Sequence, residues 1–474
     1  MANSSRDPYW QGSVRRESID HPESQADIEN ECSACHMPMA HLMARDAGQK
    51  TRVFAHLPLI PDHKGAQEAA DGVSCSVCHQ IESTGLGTPA TFNGNVVVAG
   101  PKHASERPEF GPFSIDEPHQ RIMLSSTAGF VPTEGTHIRD SSLCGSCHTL
   151  YTKALGPGGK EIGRLPEQVP YQEWLHSAYV KTRTCQECHM PQVDEPTRVT
   201  AVYGPERNGM HRHVFVGGNF LMESMLGAHR EELGMKATVE EMRAAQERTA
   251  EFLQKETARM TIPTIDTTGN RISFAVKVEN LTGHKFPTAY PSRRAWLHVM
   301  VQDRDGQMVF ESGALRDDGA IEGNDNDADP HRFEPHFAEI TSPAQVEIFE
   351  SILRDSSGGV TTGLLSAVGY LKDNRILPAG FDKRTAEPDI AVIGAAADDP
   401  NFTDQGSTIR YRIDGGRAAG PFHVRAELWY QPIGFRWARN LASYKGDEPR
   451  RFVGYYEAES RHSALVIASA EVTR

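Results

Sequence analysis

Cys32-Ser-Ala-Cys35-His36, Cys75-Ser-Val-Cys78-His79, Cys144-Gly-Ser-Cys147-His148 and Cys185-Gln-Glu-Cys188-His189 account for all eight cysteines of the chain. Each copy reads C-x-x-C-H, the spacing at which two thiols add to the vinyl groups of a porphyrin and the next histidine comes under the iron. Structural zinc, a disulfide pair or a reactive dithiol would each accept C-x-x-C. None of them asks for the histidine that follows all four times. With 21 histidines in 474 residues, one such placement by chance is roughly 4%, and four are about four in a million. The sequence therefore points to four covalently attached c-type haems, with His36, His79, His148 and His189 as proximal ligands.

Working outward, the intervals between successive first cysteines are 43, 69 and 41 residues, two closer pairs without a strict repeat. Weak periodicity and Pro/Gly-rich connections, such as Ala99-Gly-Pro-Lys102 and Leu155-Gly-Pro-Gly-Gly159, predict short helices wrapped around cofactors. The character changes near residue 236. Thr238-Val-Glu-Glu241 has the form of a capping box, and a stripe through Met242, Ala245, Thr249, Phe252, Leu253 and Met260 predicts a helix running to Ile262-Pro263. Beyond it the period becomes two. Ile272, Phe274, Val276 and Val278 alternate, and Trp296 to Gln302, Ile409 to Ile413, Phe422 to Tyr430 and Ala464 to Ala468 are further strands, with a short helix expected over Gly363 to Lys372. The fold class expected is α+β and multidomain: a mostly helical and irregular tetrahaem domain over 1–235, a linker helix over 236–262, and an antiparallel β-sandwich over 263–474.

Sixth ligands must come from distant segments. His63, twelve residues before Cys75, His137, seven before Cys144, and His213, beside the glycine pair of Arg212-His-Val-Phe-Val-Gly-Gly-Asn219, are the best placed; His176, His56 and His21 stand behind them. His284, in Thr282-Gly-His-Lys-Phe-Pro287, would make the sheet region part of the redox unit. Met37, Met39 and Met190 follow proximal histidines too closely to reach the opposite face. Histidine on both sides implies low potentials, since methionine ligation raises them. The run Asp317, Asp318, Glu322, Asn324, Asp325, Asn326, Asp327 and Asp329 offers hard oxygen ligands suited to calcium. Lacking the full EF-hand signature, it reads first as a solvated acidic loop.

A formal charge of −14 argues against nucleic acid as a partner and for redox donors and acceptors, proteins or an extracellular acceptor. No stretch reaches the ~20 apolar residues of a membrane span. Met1-Ala-Asn-Ser-Ser-Arg6 carries no export signal, yet haem attachment takes place outside the cytoplasmic membrane. A mature form is expected, located in the periplasm, on the outer surface or outside the cell.

The chain resembles multihaem c-type cytochromes that join a tetrahaem region to a C-terminal β domain. The resemblance rests on Asp7-Pro-Tyr-Trp-Gln11, Glu31 to Met39, Asp71 to Cys75, Leu143 to Tyr151, Tyr171-Gln-Glu-Trp174, Cys185 to Pro191, the His213 segment, Gly283 to Thr288 and Pro291-Ser-Arg-Arg-Ala-Trp296. It implies bis-histidine haems acting as an electron conduit and names no substrate. Against that expectation stand two others: an oxidoreductase of the nitrite or hydroxylamine type with one open iron, and a homo-oligomeric subunit of an extracellular haem filament.

Overall fold

A computed structural model describes residues 1–63, 65–98, 107–127, 129–200 and 204–474; the Ala99 to Lys102 connection and His103 lie outside these.

Pro8 opens the first long helix, Pro8–Asp20, where its missing N–H costs nothing. The Asp7 carboxylate caps it, accepting from Tyr9 N at 2.8 Å and Trp10 N at 3.0 Å. Helix Gln25–His36 carries the first C-x-x-C-H, and Pro at N1 opens the next helix, Pro38–Asp46. Short helices Cys75–His79 and Cys185–His189 consist of the second and fourth motifs alone. Ser141–Gly145 enters the third, with His148 N bonded to Cys144 O at 2.9 Å. A hairpin, Leu150–Leu155 with Glu161–Gln168, follows.

The capping box forms as the sequence implies: Thr238 Oγ1 accepts from Glu241 N at 3.2 Å, and Glu241 Oε2 accepts from Thr238 N at 2.8 Å. The helix runs Val239–Glu256 and stops short of the expected end. Met260 belongs instead to the strand Ala258–Thr261, paired opposite Val278, because its alternating buried and exposed residues complete a sheet edge.

Two larger sheets occupy the rest. One runs Met308–Ser312, Arg294–Gln302, His423–Gln431 and Leu465–Thr473, with Ile348–Phe349 also on Arg294–Gln302. The other runs Glu339–Ile340, Gly406–Asp414, Arg271–Asn280 and Ala258–Thr261, with two short strands at its flanks. Pairing is antiparallel except between Glu339–Ile340 and Gly406–Asp414. Ile272, Phe274, Val276 and Val278 all point inward, as period two requires. Phe310 of the first sheet meets Tyr411 of the second edge-on, ring centres 6.1 Å apart. The molecule is an α+β protein with antiparallel sheets, as expected.

The segment Gly363 to Lys372 is a turn followed by the strand Ala367–Asp373, not a helix. Tyr370 pairs with Leu353 and Asp373 with Ser351; sheet pairing outweighs a weak helical pattern. One apolar core extends from Tyr9, Val14 and Ile28 through Leu165, Phe220 and Leu253 into both sheets. Helix Pro8–Asp20 packs on Asp447–Glu459, with Tyr9 against Phe452 at 4.9 Å and Arg15 Nε on Glu448 Oε2 at 2.8 Å. Among the described residues, no helix is long and apolar enough to cross a membrane.

Candidate haem sites

In the first, second and fourth motifs the two cysteines are three residues apart on one helix, so both thiols project from the same face, while in the third Cys147 follows the end of Ser141–Gly145. All eight are free. The thiols of Cys35 and Cys147 contact each other, as do those of Cys144 and Cys185, and Cys78 lies in electrostatic reach of Cys147. The first, second and fourth motifs therefore gather about the third. Gly94 threads between two of them, with N donating to Ser146 O at 2.8 Å and its Cβ position 3.0 Å from Cys35 Sγ. Its φ of +72° is one that a side chain would resist.

Three of the four motif imidazoles are held by their Nδ1 atoms. His36 donates to Ser4 O at 3.3 Å, His79 to Phe110 O at 2.5 Å and His189 to Val216 O at 2.7 Å. Such bonds leave Nε2 unprotonated and available to a metal. Burial lowers His36 to about 4. It does the same to His148, with His189 and Arg293 adding to the effect. Neutral rings are what iron needs. Trp10 stacks on His36 with ring centres 4.5 Å apart, fixing its plane.

Two of the four sequence-selected histidines meet proximal ones. His284 lies nearly parallel to His189, 7° between planes, with ring centres 6.2 Å apart. His213 faces His79 at 6.0 Å and 34°. With an imidazole–metal bond of about 2.0 Å and about 1.1 Å from nitrogen to ring centre, two rings sharing one ion stand about 6.2 Å apart. His284 donates Nδ1 to Lys285 O at 2.9 Å, and burial, then His189, lowers it to about 4. His213 is lowered by burial and by His79.

His63 and His137 make no ring contact with a proximal imidazole among the described residues. His63 is half-buried, and its Nε2 bonds Ala55 O at 3.1 Å. His137 Nε2 bonds Ile81 O at 2.8 Å, and its ring packs on Phe110. In both, a carbonyl occupies the nitrogen that a metal would use. His176 bonds Gln172 O, His56 bonds Gly65 O, and His21 approaches Ser366.

The acidic run is turned onto arginines: Asp327 bidentate to Arg294 at 2.8 and 2.9 Å, Asp325 to Arg332, and Asp317 to Arg461 at 2.6 Å. Among the described residues, no three His, Cys, Asp or Glu side chains converge as a metal cluster would need.

Two residues escaped the sequence reading. Arg293 lies in electrostatic reach of His148, His189 and His284. Glu173, fully buried, accepts from Lys285 N at 3.1 Å beside His284. The signal for both was adjacency: they fall within the stretches Tyr171-Gln-Glu-Trp174 and Pro291-Ser-Arg-Arg294, which carry no metal-binding side chain.

No family model matches the chain, and no curated protein matches it. Among solved structures, the chain is similar to a penta-heme cytochrome c552 from Thermochromatium tepidum, with a TM-score of 0.53 and 16% identity. The alignment covers 98% of this chain and 95% of that one. At this identity the likeness is one of fold, and the chain shares the fold of that penta-heme cytochrome along nearly its whole length.

Proposed function

We propose that the chain is a multihaem electron-transfer protein carrying four c-type haems. Each is bound through one C-x-x-C-H: Cys32, Cys35 and His36; Cys75, Cys78 and His79; Cys144, Cys147 and His148; Cys185, Cys188 and His189. The observation that carries the reading is the pairing of imidazoles at the spacing of a shared metal. His79 with His213, and His189 with His284, are the residues that would hold the irons of the second and fourth haems. The neighbour's five haems are its own; eight cysteines in this chain provide for four.

Covalent haem supplies a one-electron couple. The chain's residues hold His36, His79 and His189 through Nδ1 and keep His36, His148 and His189 neutral. Gathering three motifs about the third would hold four haems as neighbours, the arrangement that electron transfer among them requires. Two histidines on an iron favour a low potential. The two facing sheets form a β-sandwich that lends His284 to the fourth haem. Donor and acceptor are redox proteins or an extracellular acceptor, and the site of action is the periplasm or cell exterior, where haem attachment occurs.

The test is mass spectrometry of the denatured protein after expression with haem-maturation machinery, followed by low-temperature electron paramagnetic resonance of the oxidised form. Four covalent haems with at least two low-spin irons are expected. A bare polypeptide, or zinc in place of iron, overturns the reading. Cyanide or nitric oxide binding to the resting protein would turn it toward an oxidoreductase with an open iron.

A further inference from the structure

His284 reaches the fourth haem from a loop between two strands, and a loop needs something to hold it. That support comes from the cofactor region. Helix Pro170–Leu175 presents Glu173, whose side chain has no exposure at all. Its Oε2 accepts from Lys285 N at 3.1 Å and from Thr288 Oγ1 at 2.5 Å. The peptide of Lys285 is thus held at both ends. Its N–H goes to Glu173, and its C=O receives the His284 Nδ1 proton at 2.9 Å. A shift of this one residue turns the imidazole.

The rest of the carboxylate's surroundings form a closed set of charges. Arg375 Nη1 lies 2.9 Å from Glu173 Oε1 as an ion pair off the hydrogen-bonding direction. Arg375 also grips Asp373 through Nε at 2.9 Å and Nη2 at 2.7 Å. Asp373 holds Lys285 Nζ at 2.8 Å. Two cations and two anions, each less than a tenth exposed, balance one another with no help from solvent. Neighbouring bonds brace the loop from the other side: Asn280 Nδ2 and Thr282 Oγ1 both donate to His284 O, at 2.7 and 2.9 Å. Gly283 packs with its Cβ position 3.1 Å from Trp174 Cδ1. The same helix is tied to the third motif, with Tyr171 N donating to His148 O at 3.4 Å.

We propose that Glu173 is the positioning residue for the sixth ligand of the fourth haem, and that the quartet Glu173, Lys285, Asp373 and Arg375 is a latch keeping that iron closed to outside ligands. This rests on the reading of His284 as an axial ligand. Glu173 touches neither iron nor porphyrin and acts through the Lys285 peptide. Neutralising it leaves an uncompensated cation in a dry site, and the loop is free to withdraw.

The experiment compares the holoprotein with three variants, reading ferric spin state at low temperature and carbon monoxide uptake by the reduced form. His284→Ala should convert one haem of four to high spin and add one equivalent of carbon monoxide over the parent. Glu173→Gln keeps the shape but removes the charge; it should convert a fraction of that same haem and add a matching fraction of an equivalent. Thr288→Val removes a single hydrogen bond, folds regardless, and should give a smaller change of the same kind. If Glu173→Gln and Thr288→Val keep the parental spin state and take up no extra carbon monoxide, even with a lowered melting temperature, Glu173 is merely structural and the inference fails alone. If His284→Ala leaves spin state and uptake unchanged, the axial reading fails, and the latch with it.

Discussion

In the strand Arg271–Asn280 every second side chain is buried, whereas helix Cys75–His79 buries only Val77. The two regions organise themselves differently. From residue 258 onward, order comes from sheet register and from charges paired in the interior: Arg294 with Asp327, Lys372 with Glu350, and His336 between Glu347 and Asp399. Before residue 236, regular structure comes in short pieces, and three of its helices, Gln25–His36, Cys75–His79 and Cys185–His189, each carry a C-x-x-C-H. A segment with so little apolar side chain needs other surface to pack on, which a porphyrin would provide under the proposed reading. The sheets need no such help, and they give back one histidine.

The largest test of this contrast is removal of a central attachment point. Cys144→Ala with Cys147→Ala should lower haem content from four to three per chain. Amide protection should fall around all three neighbouring motifs while Arg271–Asn280 keeps its own; hydrogen exchange read by mass spectrometry checks both. Equal loss in the strands would erase the distinction. Next in size, Arg294→Met leaves Asp327 buried without its cation, at a cost of about 3–5 kcal/mol. Denaturant unfolding of the holoprotein should show that loss with the haem spectrum unchanged.

The smallest effect is a pH dependence confined to the sheets. Burial alone would lower His336, but Glu347 and Asp399, 2.6 and 3.1 Å from its two nitrogens, outweigh it and raise the ring above its ordinary 6.5. A raised histidine contributes stability that is complete below the unfolded value and lost as pH rises through the folded one. Unfolding free energy should therefore decline as pH rises above 6.5 through the folded value. His336→Gln should flatten that decline; a slope unchanged in the variant would assign it elsewhere.

Much of this was legible in the chain itself. C-x-x-C-H is local chemistry, and Thr238 with Glu241 is a local cap, so neither depends on the fold. The alternation through Val276 and Val278 survives because one face of the strand is buried. His213 and His284 stood out by their neighbours, the glycine pair and the turn between strands. The Gly363 to Lys372 segment misled because its pairing partner, Ser351–Asp355, lies outside any local window. His63 and His137 were selected by distance along the sequence, and spacing says nothing about which carbonyl a ring nitrogen meets. Glu173 was invisible for the opposite reason: its importance lies in residues more than a hundred positions away.

The contact between helix Pro8–Asp20 and helix Asp447–Glu459 spans 433 positions from Arg15 to Glu448. A loop of that length closes late, because its entropy is lost before any contact repays it. Tyr9 and Arg15 thus gain Phe452 and Glu448 only once the long intervening stretch has folded back. Until that contact forms, Cys32 and Cys35, just beyond helix Pro8–Asp20, would stay open to whatever attaches porphyrin under the proposed reading, which would make helix Asp447–Glu459 a clock for attachment at the first motif.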